Sequence, residues 1–221
     1  MNILTHFSEE HRQIAQGLTV LNVICNQMLK KNSPSQADME NLFYFFRTFV
    51  EENHHGSEED ILFNKAGDLD MVREGGPMCT AFMGHRMEFD LVGRASHRLQ
   101  GYQYSTTEKS KKDILQKLYT KNHPLIMPLE EHLISTDLLN ALEKEKDPEK
   151  FYMLAQDYIS ITESHSRKED ECLFVLLSQL FTLAQLEQMY QEYLERKNRP
   201  DGRVEKALQI LNELSLKYKR S

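Results

Sequence analysis

Twice in this chain a histidine is followed four residues later by a glutamate and then by Leu-Phe. The first copy is HHGSEEDILF, from His54 to Phe63, and the second is HSRKEDECLF, from His165 to Phe174. On a helix, positions i and i+4 lie one turn apart on a single face, so each copy offers an imidazole and a carboxylate to the same point. Imidazole nitrogen and carboxylate oxygen together are metal donors. Without a thiolate beside them they favour iron, manganese or zinc over copper(I) or an iron-sulfur cluster.

The rest of the sequence supplies helices to carry these groups. Nine glycines and six prolines interrupt 221 residues, and Val, Ile and Thr are sparse beside Leu, Glu, Lys, Gln and Met, which favours helix almost throughout. Apolar residues at helical spacing predict an all-α chain with core helices over about 3–30, 35–66, 77–100 and 148–179. An extra helical segment falls at 111–146, broken at His123-Pro124, and a helical extension covers 181–221. No second domain is indicated, so 1–221 reads as one unit built on one core.

Four of these helices place a histidine within an apolar stripe. His11 follows Phe7 and precedes Ile14 and Leu18; His54 lies between Val50 and Ile61; His85 lies between Phe82 and Phe89; His165 lies between Ile161 and Leu173. A single histidine on such a face is more often a hydrogen-bonded core residue than a ligand. Four of them accompanied by Glu58 and Glu169 argue otherwise. A buried carboxylate costs several kcal/mol unless it is paired, and the matching inward faces supply no lysine and only Arg47 as an organic cation. A bound cation resolves that cost, and two glutamates that each bridge suit a pair of ions better than one tetrahedral zinc. A ferritin-like site needs Glu-x-x-His on two helices, which only Glu51 to His54 clearly provides, and a zincin needs a His-Glu dipeptide, which is absent.

These residues resemble the hemerythrin-like proteins, the HHE cation-binding domain family, over most of the chain. Glu10-His11-Arg12 looks like the family's first-helix motif, the two His-x-x-x-Glu stretches look like its second and fourth, and His85 falls where its third helix supplies a histidine. The resemblance implies a four-helix bundle of hemerythrin type with extra helices, namely the insertion at 111–146 and the C-terminal helices. It also implies two non-haem iron ions with an oxo or hydroxo bridge, manganese or zinc being the other candidates. His11, His54, His85 and His165 would be terminal ligands, and Glu58 and Glu169 would bridge. The long stretch between His85 and His165 departs from the family pattern, as do Asn64 and Val175, where a proline often follows Leu-Phe.

Several residues carry two readings. His55 is a further ligand candidate, but at about 100° per residue it turns away from His54, which leaves an exposed or outer histidine as the alternative. His132 shares a stripe with Leu125, Leu129 and Leu139 and reads first as structural, with ligation second. His123 before Pro124 reads as a loop residue. Glu88, three residues after His85, is a candidate to orient an imidazole, and Tyr158, two turns before His165, is a candidate donor toward the site. Glu59, Asp60, Asp170 and Glu171 read as a solvated acidic face.

The net charge of -7 argues against a nucleic-acid partner, and no apolar run is long enough to span a bilayer. Three unpaired cysteines and the lack of a secretory signal make a cytoplasmic location the expectation. The amphipathic terminal helix suits either packing on the bundle or contact with a protein partner, a second copy included. The function expected is binding or sensing of O2 or NO. The competing expectations are an enzyme acting on O2, peroxide or NO or donating iron for cluster repair, and a purely structural histidine cluster.

Overall fold

The computed structural model describes residues 1–32, 34–69, 71, 123–197 and 202–218, and among these the chain is helical, with no strand. Helix α1 is Ile3–Leu29. Helix α2 opens as Gln36–Phe45, widens into π-helix over Phe46–His55 and again over Glu58–Phe63, and closes as Asn64–Ala66. Helix α3 is Ile126–Lys144. Helix α4 runs as Pro148–Lys168, a π-helical Glu169–Leu173 and Phe174–Leu180, and α5 (Leu183–Lys197) and α6 (Arg203–Tyr218) follow.

The caps explain where these helices start. The Asn2 side chain accepts from Thr5 N at 3.0 Å, Ser35 Oγ from Asp38 N at 3.1 Å, and Asp147 Oδ1 from Glu149 N and Lys150 N at 3.0 Å each, ahead of Pro148 at the first position of α4. Each such cap contributes about 1 kcal/mol.

Helices α1 to α4 alternate in direction around two separate apolar clusters. One gathers Ile14 to Cys25 of α1, Leu42 to Val50 of α2, Leu138 to Leu142 of α3 and Phe151 to Ile161 of α4, covered by Ala207, Ile210, Leu211 and Leu214 of α6. The other gathers Ile3, Leu4 and Phe7 with Ile61 to Phe63, Leu125, Leu129 and Leu173 to Leu177, covered by Leu186, Met189 and Tyr193 of α5. Gly17 lets α1 and α2 approach closely, because a Cβ there would run into the ring of Phe45. The histidines and glutamates occupy the layer between the two clusters.

One expectation falls outside the described residues and another changes. The helix expected over 77–100, with His85 and Glu88, lies outside the described residues. The stretch read as an insertion is, in its described part α3, a full wall of the core packed along α4. The periodicity of α3 was legible, but nothing in sequence order indicated which helices it would face. The terminal helix α6 lays its apolar stripe on α1 and α2. Among the described residues no single helix is long and apolar enough to cross a membrane.

Candidate metal centre

Glu58 and Glu169 face each other from α2 and α4, 0% and 1% exposed, with four imidazoles turned toward them. His11 Nε2 lies 3.3 Å and His165 Nε2 3.2 Å from Glu169 Oε2. His54 Nε2 lies 3.7 Å from Glu58 Oε1, and His132 Nε2 lies 3.5 Å from Glu58 Oε2. Two tetrads follow, His11/His54/Glu58/Glu169 and Glu58/His132/His165/Glu169, and they share both carboxylates. Within each tetrad one donor atom per residue lies within 4.8 Å of the others. That is close to the roughly 4.2 Å that separates opposite donors around one ion with bonds of about 2.1 Å. His55 joins the second side as part of a His55/His132/His165 group, its ring stacked on that of His132 at 3.9 Å.

Every one of the four rings is held from behind. His54 Nδ1 donates to Glu10 Oε2 at 2.9 Å, His11 Nδ1 to Asp170 Oδ1 at 3.0 Å, His132 Nδ1 to Glu59 Oε1 at 2.8 Å and His165 Nδ1 to Glu131 Oε2 at 3.1 Å. A carboxylate behind Nδ1 keeps the proton there and leaves the Nε2 lone pair facing inward, the tautomer a metal requires. Asp170 also takes the hydroxyl of Ser8 at 2.6 Å, and Glu131 is paired with the buried Lys168.

The inner atoms lack what the outer ones have. His11 Nε2, His54 Nε2 and both oxygens of Glu58 and of Glu169 are sealed from solvent with no hydrogen-bond partner. Leaving such groups unsatisfied costs about 1–3 kcal/mol apiece. The described residues therefore fit a bound cation: the donor set is nitrogen and oxygen, it is pre-oriented, and it is unsatisfied without one.

Without an ion the charges rearrange. Burial, with Glu169 next to it, pushes the Glu58 carboxyl well above its ordinary range, so that it keeps a proton. Burial acts the same way on Glu169, but His165 and His11 outweigh it and hold that carboxyl well below its ordinary range. Burial alone would lower His165; Glu169 and Glu131 outweigh it and raise the ring to about 9. For His54 burial prevails over Glu10, and its pKa falls to about 4. This is the pattern of a few protons distributed where cations belong.

The structure brings together His11, His54, His55, Glu58, His165 and Glu169, and adds His132. His85 and Glu88 lie outside the described residues. Tyr158 belongs to none of the three groups; it is fully buried in the α6-side cluster, edge-on to Phe46 at 5.2 Å. Glu59 is not solvated, being 6% exposed, whereas the Asp170 side chain keeps 36% of its surface exposed; both serve as carboxylates behind histidines. The π-helical turns account for Glu59 and His55. Hydrogen bonding from i to i+5 advances each residue by less than the 100° of an α-helix, so His54, His55, Glu58 and Glu59 crowd onto one side instead of spreading. Lys168 corrects the expectation that no lysine faces inward, but it ends on Glu131; among the described residues neither Glu58 nor Glu169 meets a lysine or an arginine. Arg47 reaches Glu143 at 2.9 Å and Asn140 at 2.7 Å, away from the centre. His123 is a buried loop residue, its Nε2 at 3.3 Å from the Leu69 carbonyl.

A cleft of about 340 Å3 between α1 and α4 reaches the His11 edge, walled by Ser8, Arg12, Arg167 and Asp170. Comparison with protein-family models, with curated proteins and with solved structures finds no match to this chain.

Proposed function

We propose that the chain is a hemerythrin-like four-helix-bundle protein that holds two iron ions and binds or senses a small diatomic ligand, O2 or NO. The observation that carries the reading is the sharing of Glu58 and Glu169 by two tetrads whose inner atoms are buried and unsatisfied. One ion would be held by His11 and His54, the other by His132, His165 and His55, and the two glutamates would bridge them. A reduced iron pair supplies electrons and an open coordination position to a diatomic ligand. Among the described residues the His11/His54 side has one imidazole fewer than the other; His85, expected as a terminal ligand, lies outside them.

The residues around that side keep water out. Phe7 stands edge-on to His54 at 5.5 Å between ring centres, and Phe174 stacks on His11 at 5.8 Å. These apolar rings favour a neutral diatomic molecule over a charged or bulky one. The outer carboxylates hold the Nδ1 protons, so His11 and His54 present their Nε2 lone pairs without reorganisation.

The test begins with metal content after purification from iron-supplemented cells. About two metal ions per chain are expected, with loss on His54→Ala or Glu169→Ala, and a content far below two that those substitutions leave unchanged refutes the centre. The reduced protein is then exposed to O2, NO and peroxide while absorbance is followed. A spectral change that reverses when the gas is removed supports a binder; repeated consumption of the ligand points to an enzyme acting on O2, peroxide or NO.

A further inference from the structure

The helix α5 lies outside the four helices that enclose the centre, yet one of its side chains reaches the layer of carboxylates behind the histidines. We propose that Tyr193 of α5 is a positioning residue for the metal centre, fixing through Glu10 the orientation of His54. The inference rests on the metal reading above.

Glu10 is engaged at both oxygens. Its Oε2 takes the Nδ1 proton of His54 at 2.9 Å. Its Oε1 accepts from the Tyr193 hydroxyl at 2.6 Å and from Asn53 Nδ2 at 2.8 Å, and His6 Nε2 stands 3.3 Å away. Asn53 Nδ2 also reaches the Tyr193 oxygen at 3.2 Å, which closes a triangle around one carboxylate oxygen. All of this is dry: Tyr193 is 1% exposed, Glu10 3% and His54 0%.

A carboxylate rotates freely unless both oxygens are fixed. With Oε1 pinned, Oε2 has one direction, and the His54 ring must take the orientation that satisfies it. The Tyr193 ring is wedged against His6 at 4.4 Å and edge-on to Phe7 at 6.0 Å, so the hydroxyl has little freedom to point elsewhere. The helix itself is clamped to α2 at the surface by Lys65–Glu192 and Arg196–Asp60.

The consequence is a link between the C-terminal part of the chain and one half of the centre. If α5 in place favours the metal-ready His54, then metal in the His11/His54 half favours α5 in place by the same factor. A tyrosine that merely fills its pocket would show no such selectivity between the two halves.

The experiment compares the full unaltered chain with Tyr193→Phe and Tyr190→Phe, the latter a neighbour on the same helix that meets His6 and Tyr193 through its ring. Zinc(II) is titrated against a chromophoric chelator, and the ring nitrogens of the metal-free protein are observed by NMR. Tyr193→Phe is expected to weaken one of two zinc equivalents by about tenfold, the lower end of what losing an outer partner costs, and to leave the other unchanged. In the same variant the His54 signal moves toward the form protonated on Nε2, while Tyr190→Phe changes neither readout. If Tyr193→Phe does not fold, Asn53→Ala removes the other donor on Glu10 Oε1, and the same selective loss is expected. Equal zinc affinities and unchanged His54 signals in Tyr193→Phe overturn the inference while leaving the metal reading intact, as does a Tyr190→Phe that weakens zinc as much. An unaltered chain that takes up no zinc or iron overturns the metal reading, and this inference with it.

Discussion

Replacing Glu58 with methionine should have opposite effects on stability with and without metal. In the metal-free protein the Glu58 carboxyl is fully buried, meets no hydrogen-bond donor among the described residues, and is pushed by burial and by contact with Glu169 into holding a proton. A buried polar group without compensation costs about 1–3 kcal/mol by mutational measures. Methionine is of similar length, adjusts to irregular gaps and carries no such cost. Its neighbours His54 Nε2 and His132 Nε2, at 3.7 and 3.5 Å, lose only a distant partner. The metal-free Glu58→Met protein is therefore expected to be more stable by about 1–3 kcal/mol, which in a chain of this size raises Tm by roughly 2–4 °C per kcal/mol. With metal present the order reverses. An ion at a thousandfold excess over its dissociation constant adds about 4 kcal/mol to the unaltered protein, and the variant, lacking a shared ligand, gains little. The assay is thermal unfolding of both proteins after chelation and after iron loading. A metal-free variant that melts lower than the unaltered chain would refute the reasoning, because Glu58 would then be held by protein contacts and not left vacant for a cation.

Two further outcomes follow from the geometry. His165, raised to about 9 in the folded metal-free chain by Glu169 and Glu131 against the pull of burial, contributes stability that is fully present below the ordinary histidine value of 6.5 and lost as pH rises through about 9. Urea unfolding of the metal-free protein should show a fall on the order of 3 kcal/mol over that window, and a smaller one in Glu131→Gln. Gly17→Ala would force the Phe45 ring away from α1, and a loss of about 1–3 kcal/mol in denaturant titration is expected, with helix content unchanged.

What the sequence made legible was whatever follows from local periodicity. The expected bounds of 3–30, 35–66 and 148–179 agree with the observed helices to within a residue or two at most ends, because caps at Asn2, Ser35 and Asp147 and the break at residues 30–35 are local signals. The pairs His54/Glu58 and His165/Glu169 were legible for the same reason, each being a single-helix relation. The partners behind the histidines were not, since Glu10 meets His54 across 44 positions and Tyr193 meets Glu10 across 183. At 100° per residue Glu59 falls on a solvated face; the π-helical stretch turns less and carries it inward. His132 reads as structural in the sequence because no i+4 glutamate accompanies it on α3; its carboxylates come from α2. The one signal for it in the sequence is its place mid-stripe with the apolar Leu125, Leu129 and Leu139.

The widened turns of α2 also make the spacing of the chain itself an adjustable part. Bonding from i to i+5 accommodates one more residue per turn than bonding from i to i+4, so a stretch of π-helix is equivalent to an α-helix carrying a surplus residue. Removing Gly56, which sits between the two π stretches against the Arg196 side chain, would withdraw one surplus residue and let one stretch rewind as α-helix. The flanks of α2 would then keep their places, while Glu58 would come three positions after His54 instead of four. The match between the His54/Glu58 and His165/Glu169 pairs would be lost, though no candidate ligand had been altered.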